Sequence, residues 1–385
     1  MAFRMRLSSC VTCGEGQLVP VPRYDELPRV TSDCRPLLAG GRLAVCQGCG
    51  TIQKIADKQW VEEVERIYAG YDIYHQSAGV EQVVFSDGGF TLPRSALLVD
   101  FLARNGCDEI ERGELIDIGC GNGAALANFS KTLSGWVLDG YELTEKGVET
   151  LRAIPGFRHL YAGDLSVIPA RYHLALVIHV LEHFQMPIAK LVEIVSLLRP
   201  EGRVFIEVPN LATSPFDLVI ADHLTHFTRE TLGYAAACAG IEAVILSNEV
   251  LPRELTLLGR RGHPHRQPVP DPVKSQNLAQ KTVSWLIELL DDSRVASAAS
   301  NFGLFGSSIS SQWLSGPLEG RVLFFVDEDP SRIGRNINGI PVISLAEVPA
   351  DAIVYVPLPT AVVKNLAPRL EKFSGTYVYP PAWPT

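Results

Sequence analysis

The chain has no apolar run long enough to cross a bilayer, which excludes a membrane-spanning helix as its anchor. It also has no apolar stretch after the charged opening MAFRMRLSSC, so no secretory leader is expected and a cytoplasmic location is. Positive charge is in deficit: 34 Lys and Arg stand against 43 Asp and Glu, a net charge of −9. That balance argues against broad binding of nucleic acid or of an anionic membrane. A disulfide framework is missing too. Of the eight cysteines in 385 residues, four fall into two C-x-x-C pairs, and in a chain this long such pairs point to metal or redox chemistry.

What is present describes a globular protein of two or three domains, 46% hydrophobic and 20% charged. The pairs are Cys10-x-x-Cys13 and Cys46-x-x-Cys49, each followed by a glycine, Gly14 and Gly50. A C-x-x-C turn brings two thiolates to one ion, and two such turns make a closed tetrahedron of four thiolates. Residues 1–55 are therefore expected to form a module around a structural Zn2+, with the metal supplying much of the folding energy of a segment rich in Pro, Gly and Arg. The competing reading is a dithiol. Cys34 and Cys107 have no partner in the pattern.

Residues 56–94 read as an amphipathic helix followed by an aromatic, polar loop containing Tyr71, Tyr74 and His75. Residues 95–250 then alternate apolar strands (114–118, 136–141, 158–161, 174–178, 202–208, 241–248) with helical stretches, the pattern of a parallel sheet covered by helices. The first strand runs into LIDIGCGNG, with Asp117 at its end and glycines at 119, 121 and 123. Ligands bind beyond the carboxyl ends of such strands. Two cofactors suit the turn. A dinucleotide fits Gly119-x-Gly121-x-x-Ala124, with Glu142 about 20 residues on to hold a ribose. S-adenosylmethionine fits as well, since its cationic ammonium and sulfonium make sense of Asp117.

The downstream sequence favours the second. Gly163-Asp164-Leu165 follows the third strand, where an acid can meet the adenine amino group. Then come His179-Val-Leu-Glu182-His183, Leu197-Leu-Arg-Pro200-Glu-Gly202, and a strand ending Val208-Pro209-Asn210. In combination these resemble the class I S-adenosylmethionine methyltransferases, with His173 standing where that family often has Asp. The expected cofactor residues are Asp117, Gly119, Gly121, Asn122, Gly123, Glu142, Asp164, Leu165 and His179. Beyond Asn210, Asp222, His223 and His226 lie within five residues, before a helix capped by Thr228. Together with His183 they point to a general base.

Residues 251–275, rich in proline with Arg260, Arg261, His263, His265 and Arg266, read as a linker. Residues 276–385 begin with a helix and continue with strands and a second glycine turn at Gly303 and Gly306, half of a nucleotide-binding fold. The expected class is thus α/β: a Rossmann-like methyltransferase core, an N-terminal zinc-binding module and a smaller C-terminal Rossmann-like domain. That arrangement resembles the bacterial sugar C-methyltransferases, which transfer methyl from S-adenosylmethionine to C3 of nucleotide-linked 4-keto-deoxysugars. The resemblance implies a small-molecule substrate of that kind. It also implies His223 as base with Asp222 orienting its ring, His183 and Tyr74 polarising the ketone or positioning the methyl, and His226 as a further candidate. The family's Tyr-Asp-Glu-His is Ile220-Ala221-Asp222-His223 here, so a hydroxyl is lost and His226 gained. An O- or N-methyltransferase of a sugar or glycan precursor tolerates that change. A zinc-containing binding protein regulated by S-adenosylmethionine is the reading from another class.

Overall fold

A computed structural model describes residues 9–71, 81, 83–85, 91–105, 111–145, 147–262 and 267–383. Three sheets organise it. The first is antiparallel and joins β1 (Leu18–Pro20), β2 (Leu43–Cys46) and β3 (Ile52–Lys54). Helix α1 (Lys58–Ala69) follows, its start fixed by the Asp57 side chain accepting from the Trp60 N–H, and it buries Trp60, Val64 and Ile67 on one stripe.

After α2 (Arg94–Asn105) comes the second sheet. Its strands are β4 (Glu114–Ile118), β5 (Val137–Glu142), β6 (Phe157–Ala162), β7 (Tyr172–Ile178) and β8 (Leu198–Pro209), with α3 (Ala124–Thr132) and α4 (Pro187–Ser196) as crossovers. Near-continuous burial along β4 and β7 marks strands covered on both faces. β9 (Thr225–His226) leaves this layer to pair with β3 and so completes the first sheet in the order β1-β2-β3-β9. Helix α5 (Arg229–Cys238), capped by Thr228, leads to β10 (Ile241–Ser247).

The stretch read as a linker differs. Glu254–Arg261 is a strand, β11, inserted antiparallel between β8 and β10, so that the sheet runs β6-β5-β4-β7-β8-β11-β10. Its leucines Leu255, Leu257 and Leu258 are fully buried. The prolines and arginines around them disguised a short buried run as a connection.

The long helix α6 (Pro272–Ala296) starts earlier than expected, with Asp271 as N-cap and Pro272 at its first turn. It opens a third unit whose strands are β12 (Phe302–Phe305), β13 (Phe324–Val326), β14 (Asn336–Ile337), β15 (Ile340–Ile343), β16 (Ile353–Tyr355) and β17 (Thr376–Val378). They run in the order β14-β15-β13-β12-β16-β17, parallel except for β14 against β15. One hydrophobic cluster joins the first sheet to this unit: Tyr24, Val30 and Val45 pack with Phe216, Leu218, Trp285 and Trp313. Residues 9–55 thus find a core by sharing one.

Candidate active site

Parallel strands β4, β5 and β7 end side by side, and the loops that leave them form the site. At β4 the turn puts Gly119, Gly121 and Gly123 at φ of 75°, 55° and 82°, the left-handed region that side chains resist. At Gly119 the need is also steric. A Cβ there would lie 2.4 Å from Val180, so the turn and the β7 loop touch.

Asp117, at the end of β4, is nine-tenths and more buried, and burial followed by the neighbouring Glu142 pushes its carboxyl up to about 8. Glu142 sits at the end of β5 and accepts from the Gly121 N–H at 2.7 Å and the Leu143 N–H at 3.2 Å. Two acids facing one another across strand ends fit a cationic ligand. A pyrophosphate would be repelled there. Asn122 lies in the same turn. Asp164 caps the short turn Leu165–Val167, accepting from the Ser166 N–H at 2.9 Å. Leu165 points the other way, into the core with Ile168 and Tyr172; only its backbone remains for a ligand.

His179, expected at the cofactor, adopts a φ of 52° at the end of β7. Its Nε2 is 2.5 Å from Glu254 and its Nδ1 3.2 Å from Glu182. Burial and then Arg94 depress it, Glu254 and Glu182 oppose them, and it ends raised, at about 9. It is an ion-pair centre between the two carboxylates.

The second loop, 210–226, is buried almost throughout. The residue that orients His223 is Asp217, a correction to the assignment of Asp222. Asp217 takes His223 Nδ1 on Oδ1 at 2.6 Å and His226 Nδ1 on Oδ2 at 2.7 Å. Burial alone would raise this carboxyl, but the two imidazoles hold it well below the usual range. Asp222 instead accepts from Ser32, N–H at 2.8 Å and Oγ at 2.5 Å, with its Oδ2 3.4 Å from His183 Nδ1. The nearest acid in sequence is not the nearest in space.

His226 is fully enclosed. Its Nε2 faces the Lys54 ammonium at 3.1 Å, and burial, then Lys54, lower it to about 4. With both ring nitrogens engaged it has no nitrogen to offer as base. Lys54 comes from β3 and is itself buried, which brings it down to about 7; its other hydrogens go to the carbonyls of Ile220 at 2.5 Å and His223 at 2.7 Å.

His183 stands edge-on to His223, ring centroids 4.5 Å apart, and its Nδ1 is 2.9 Å from the Tyr68 hydroxyl. Burial and then His223 lower its basicity. Tyr74 lies outside the described residues, as do Cys107, His263, His265 and Arg266. Asp217, Lys54, Tyr68 and Ser32 were missed. Asp217 had a signal, an acid six residues before a histidine; the others reach the site from 115 to 190 residues away.

Cys10, Cys13, Cys46 and Cys49 cluster, with Cys10 Sγ 3.5 Å from Cys49 Sγ and Cys13 Sγ 3.6 Å from Cys46 Sγ. Zn–S bonds of about 2.3 Å set the edge of a tetrahedron at roughly 3.8 Å, so the donors fit zinc. The Thr12 and Gly48 N–H groups point at the Cys10 and Cys46 sulfurs, at 3.4 and 3.3 Å.

Residues 92–245 match the family model described as a methyltransferase domain. By that match, residues 92–245 are a methyltransferase domain. No curated protein matches. Among solved structures, the chain aligns with the mitomycin 7-O-methyltransferase MmcR at 17% identity, covering 44% of this chain and 53% of that one with a TM-score of 0.38. The CurJ carbon methyltransferase is 15% identical, covering 43% and 54% at 0.38. The 1,6-didemethyltoxoflavin-N1-methyltransferase of Burkholderia thailandensis is 19% identical, covering 55% and 96% at 0.38. The chain spans about half the length of the first two. Among the described residues no helix is long and apolar enough to cross a membrane.

Proposed function

We propose that this methyltransferase activates its acceptor by removing a proton at His223, and that the acceptor is a carbon α to the ketone of a nucleotide-linked deoxysugar. The observation that carries the reading is the Asp217–His223 bond of 2.6 Å. It fixes the Nδ1–H tautomer and leaves Nε2 as the proton acceptor, as a carboxylate behind an imidazole does in other acid–base sites. His183, 4.5 Å away edge-on, and a tyrosine of the preceding loop, Tyr74, would stabilise the oxyanion of an enolised ketone.

S-adenosylmethionine, when bound, supplies the electrophilic methyl. Asp117 would hold its ammonium, Glu142 its ribose and Asp164 its adenine, with Gly119, Gly121, Asn122 and Gly123 forming the floor. Cys10, Cys13, Cys46 and Cys49 would hold a structural Zn2+. Four thiolates leave that ion no open position, so its part is to shape the module that carries Lys54.

The test is proton exchange. Incubated in deuterated water with a 4-keto-deoxysugar nucleotide, the enzyme should exchange the α-proton, and His223→Ala should not. Ile220 and Ala221, which put no hydroxyl beside His223, favour a second reading, O- or N-methylation of a sugar or glycan precursor. A methylated hydroxyl or amine without exchange on any ketosugar would select it.

A further inference from the structure

Glu182 is fully buried, yet neither of its carboxylate oxygens has a hydrogen-bond partner. Buried carboxylates are otherwise satisfied by donors, by a cation or by a metal. The nearest cation is His179, whose Nδ1 lies 3.2 Å from Oε1 without the alignment of a hydrogen bond and whose Nε2 already faces Glu254 at 2.5 Å. Glu182 is therefore held negative with one oxygen in an ion pair with His179 and the other, Oε2, without a donor.

Two imidazoles lie beside it. One ligand atom each from Glu182, His183 and His223 lies within 4.8 Å of the others. Around one ion with bonds of about 2.1 Å, donor atoms sit roughly 3 to 4 Å apart, a spacing reached by small side-chain shifts. Both rings are prepared as ligands usually are, with Nδ1 tied to an outer partner. His223 Nδ1 is held by Asp217 at 2.6 Å, and His183 Nδ1 by the Tyr68 hydroxyl at 2.9 Å with Asp222 behind it at 3.4 Å. Nε2 of each ring then has no protein partner among the described residues. Asp217 and Asp222 add negative charge in the second layer. The His183 side chain is 16% exposed, which gives the cluster an opening.

We propose that Glu182, His183 and His223 form a divalent-cation site separate from the cysteine cluster. Two imidazoles and one carboxylate suit a first-row divalent ion such as Mn2+, Fe2+, Co2+ or Zn2+, and three protein ligands leave positions for solvent or an acceptor oxygen. The inference rests on the acid–base reading in one respect, that the acceptor is activated at this face. With a cation bound, His223 Nε2 would be a ligand and no longer the proton acceptor; the ion would acidify a coordinated acceptor hydroxyl, and its proton would pass to solvent.

Cobalt decides the matter on the full-length protein. After removal of metal by chelation and reloading with Co2+, the chain should take up about two ions, one giving the intense charge-transfer band of a site with four thiolates and one giving only weak visible absorption. Glu182→Gln and His183→Asn should each keep the thiolate band and bind about one. Uptake of a single, thiolate-bound cobalt by the unaltered chain overturns the proposal and leaves the base reading intact. So do two ions retained in both variants. The base reading fails separately, if deuterium exchange persists in His223→Ala.

Discussion

The glycine turn at 117–123 and the histidine loop at 210–226 border the same site but are built in opposite ways. The turn makes itself. Its shape follows from three glycines at positive φ and from strands β4 and β5 on either side, with Asp117 and Glu142 at the two strand ends. The loop is made by others. Tyr24 donates to the Leu218 carbonyl, Trp60 to Ala221, Lys54 to Ile220 and His223, and Trp383 to Ala212, while Trp285 and Trp313 pack on Phe216. A site for a common cofactor can be local. The half proposed to choose an acceptor is shaped by the two flanking units.

The sharpest way to break this contrast is at the loop's chemistry. His223→Ala should lower turnover by about 100-fold to 10,000-fold, the usual worth of a positioned base, with S-adenosylmethionine affinity unchanged by calorimetry. Asp217→Asn should follow it closely, because His223 and His226 both lose their carboxylate; Asp222→Asn should cost less. Equal losses from the two aspartate variants would return the orienting role to Asp222.

Next in size is dependence at a distance. Cys46→Ser should release the metal and lower thermal stability by several kcal/mol, the scale of a structural zinc site. By hydrogen exchange, protection should fall at 52–54 and 221–227 and stay at 114–123. Uniform loss across both regions would mean that the loop has no special tie to the cysteine module.

A change to the turn should act on the cofactor alone. Gly119→Ala puts a methyl 2.4 Å from Val180 at a φ of 75°, and S-adenosylmethionine affinity should fall about tenfold or more, with about 1–3 kcal/mol of stability lost. Protection at 217–226 should not change.

The smallest effect is that of pH on cofactor binding. In the free enzyme Asp117 keeps its proton below about 8, and a cationic ammonium needs the carboxylate. Binding therefore releases a proton. Affinity should climb about tenfold from pH 7 to pH 9 and then level off, and Asp117→Asn should flatten the curve. A flat profile in the unaltered enzyme would remove Asp117 as the ammonium's partner.

What could be read in the sequence divides along the same line. Residues 114–142 were legible because a strand, a glycine turn and an acid at the next strand end all lie within thirty residues. The histidine cluster was legible as chemistry but not as geometry. Asp222 adjoins His223 in sequence, yet the chain direction at 220–223 sends it to Ser32, and Asp217 takes the ring. Lys54 carried no sign at all, since a lysine ending a strand just after a C-x-x-C turn reads as surface until β9 is laid beside it. Strand β11 was hidden because five buried residues between prolines and arginines look like a tether.

Trp313, far along the chain, has its indole N–H bonded to the carbonyl of Pro28, and its ring lies on Phe216 at the edge of the histidine loop. That bond sets an order of assembly. As the chain leaves the ribosome, every strand of the sheet that carries the glycine turn has been made by Arg261, before α6 and the third unit. The loop at 210–226 is also held by the Trp383 indole on the Ala212 carbonyl, so its supports are complete only once residue 383 has emerged. The sheet that carries the glycine turn is thus made before the histidine loop has all of its supports, and Trp313 and Trp383 are the last of them to arrive.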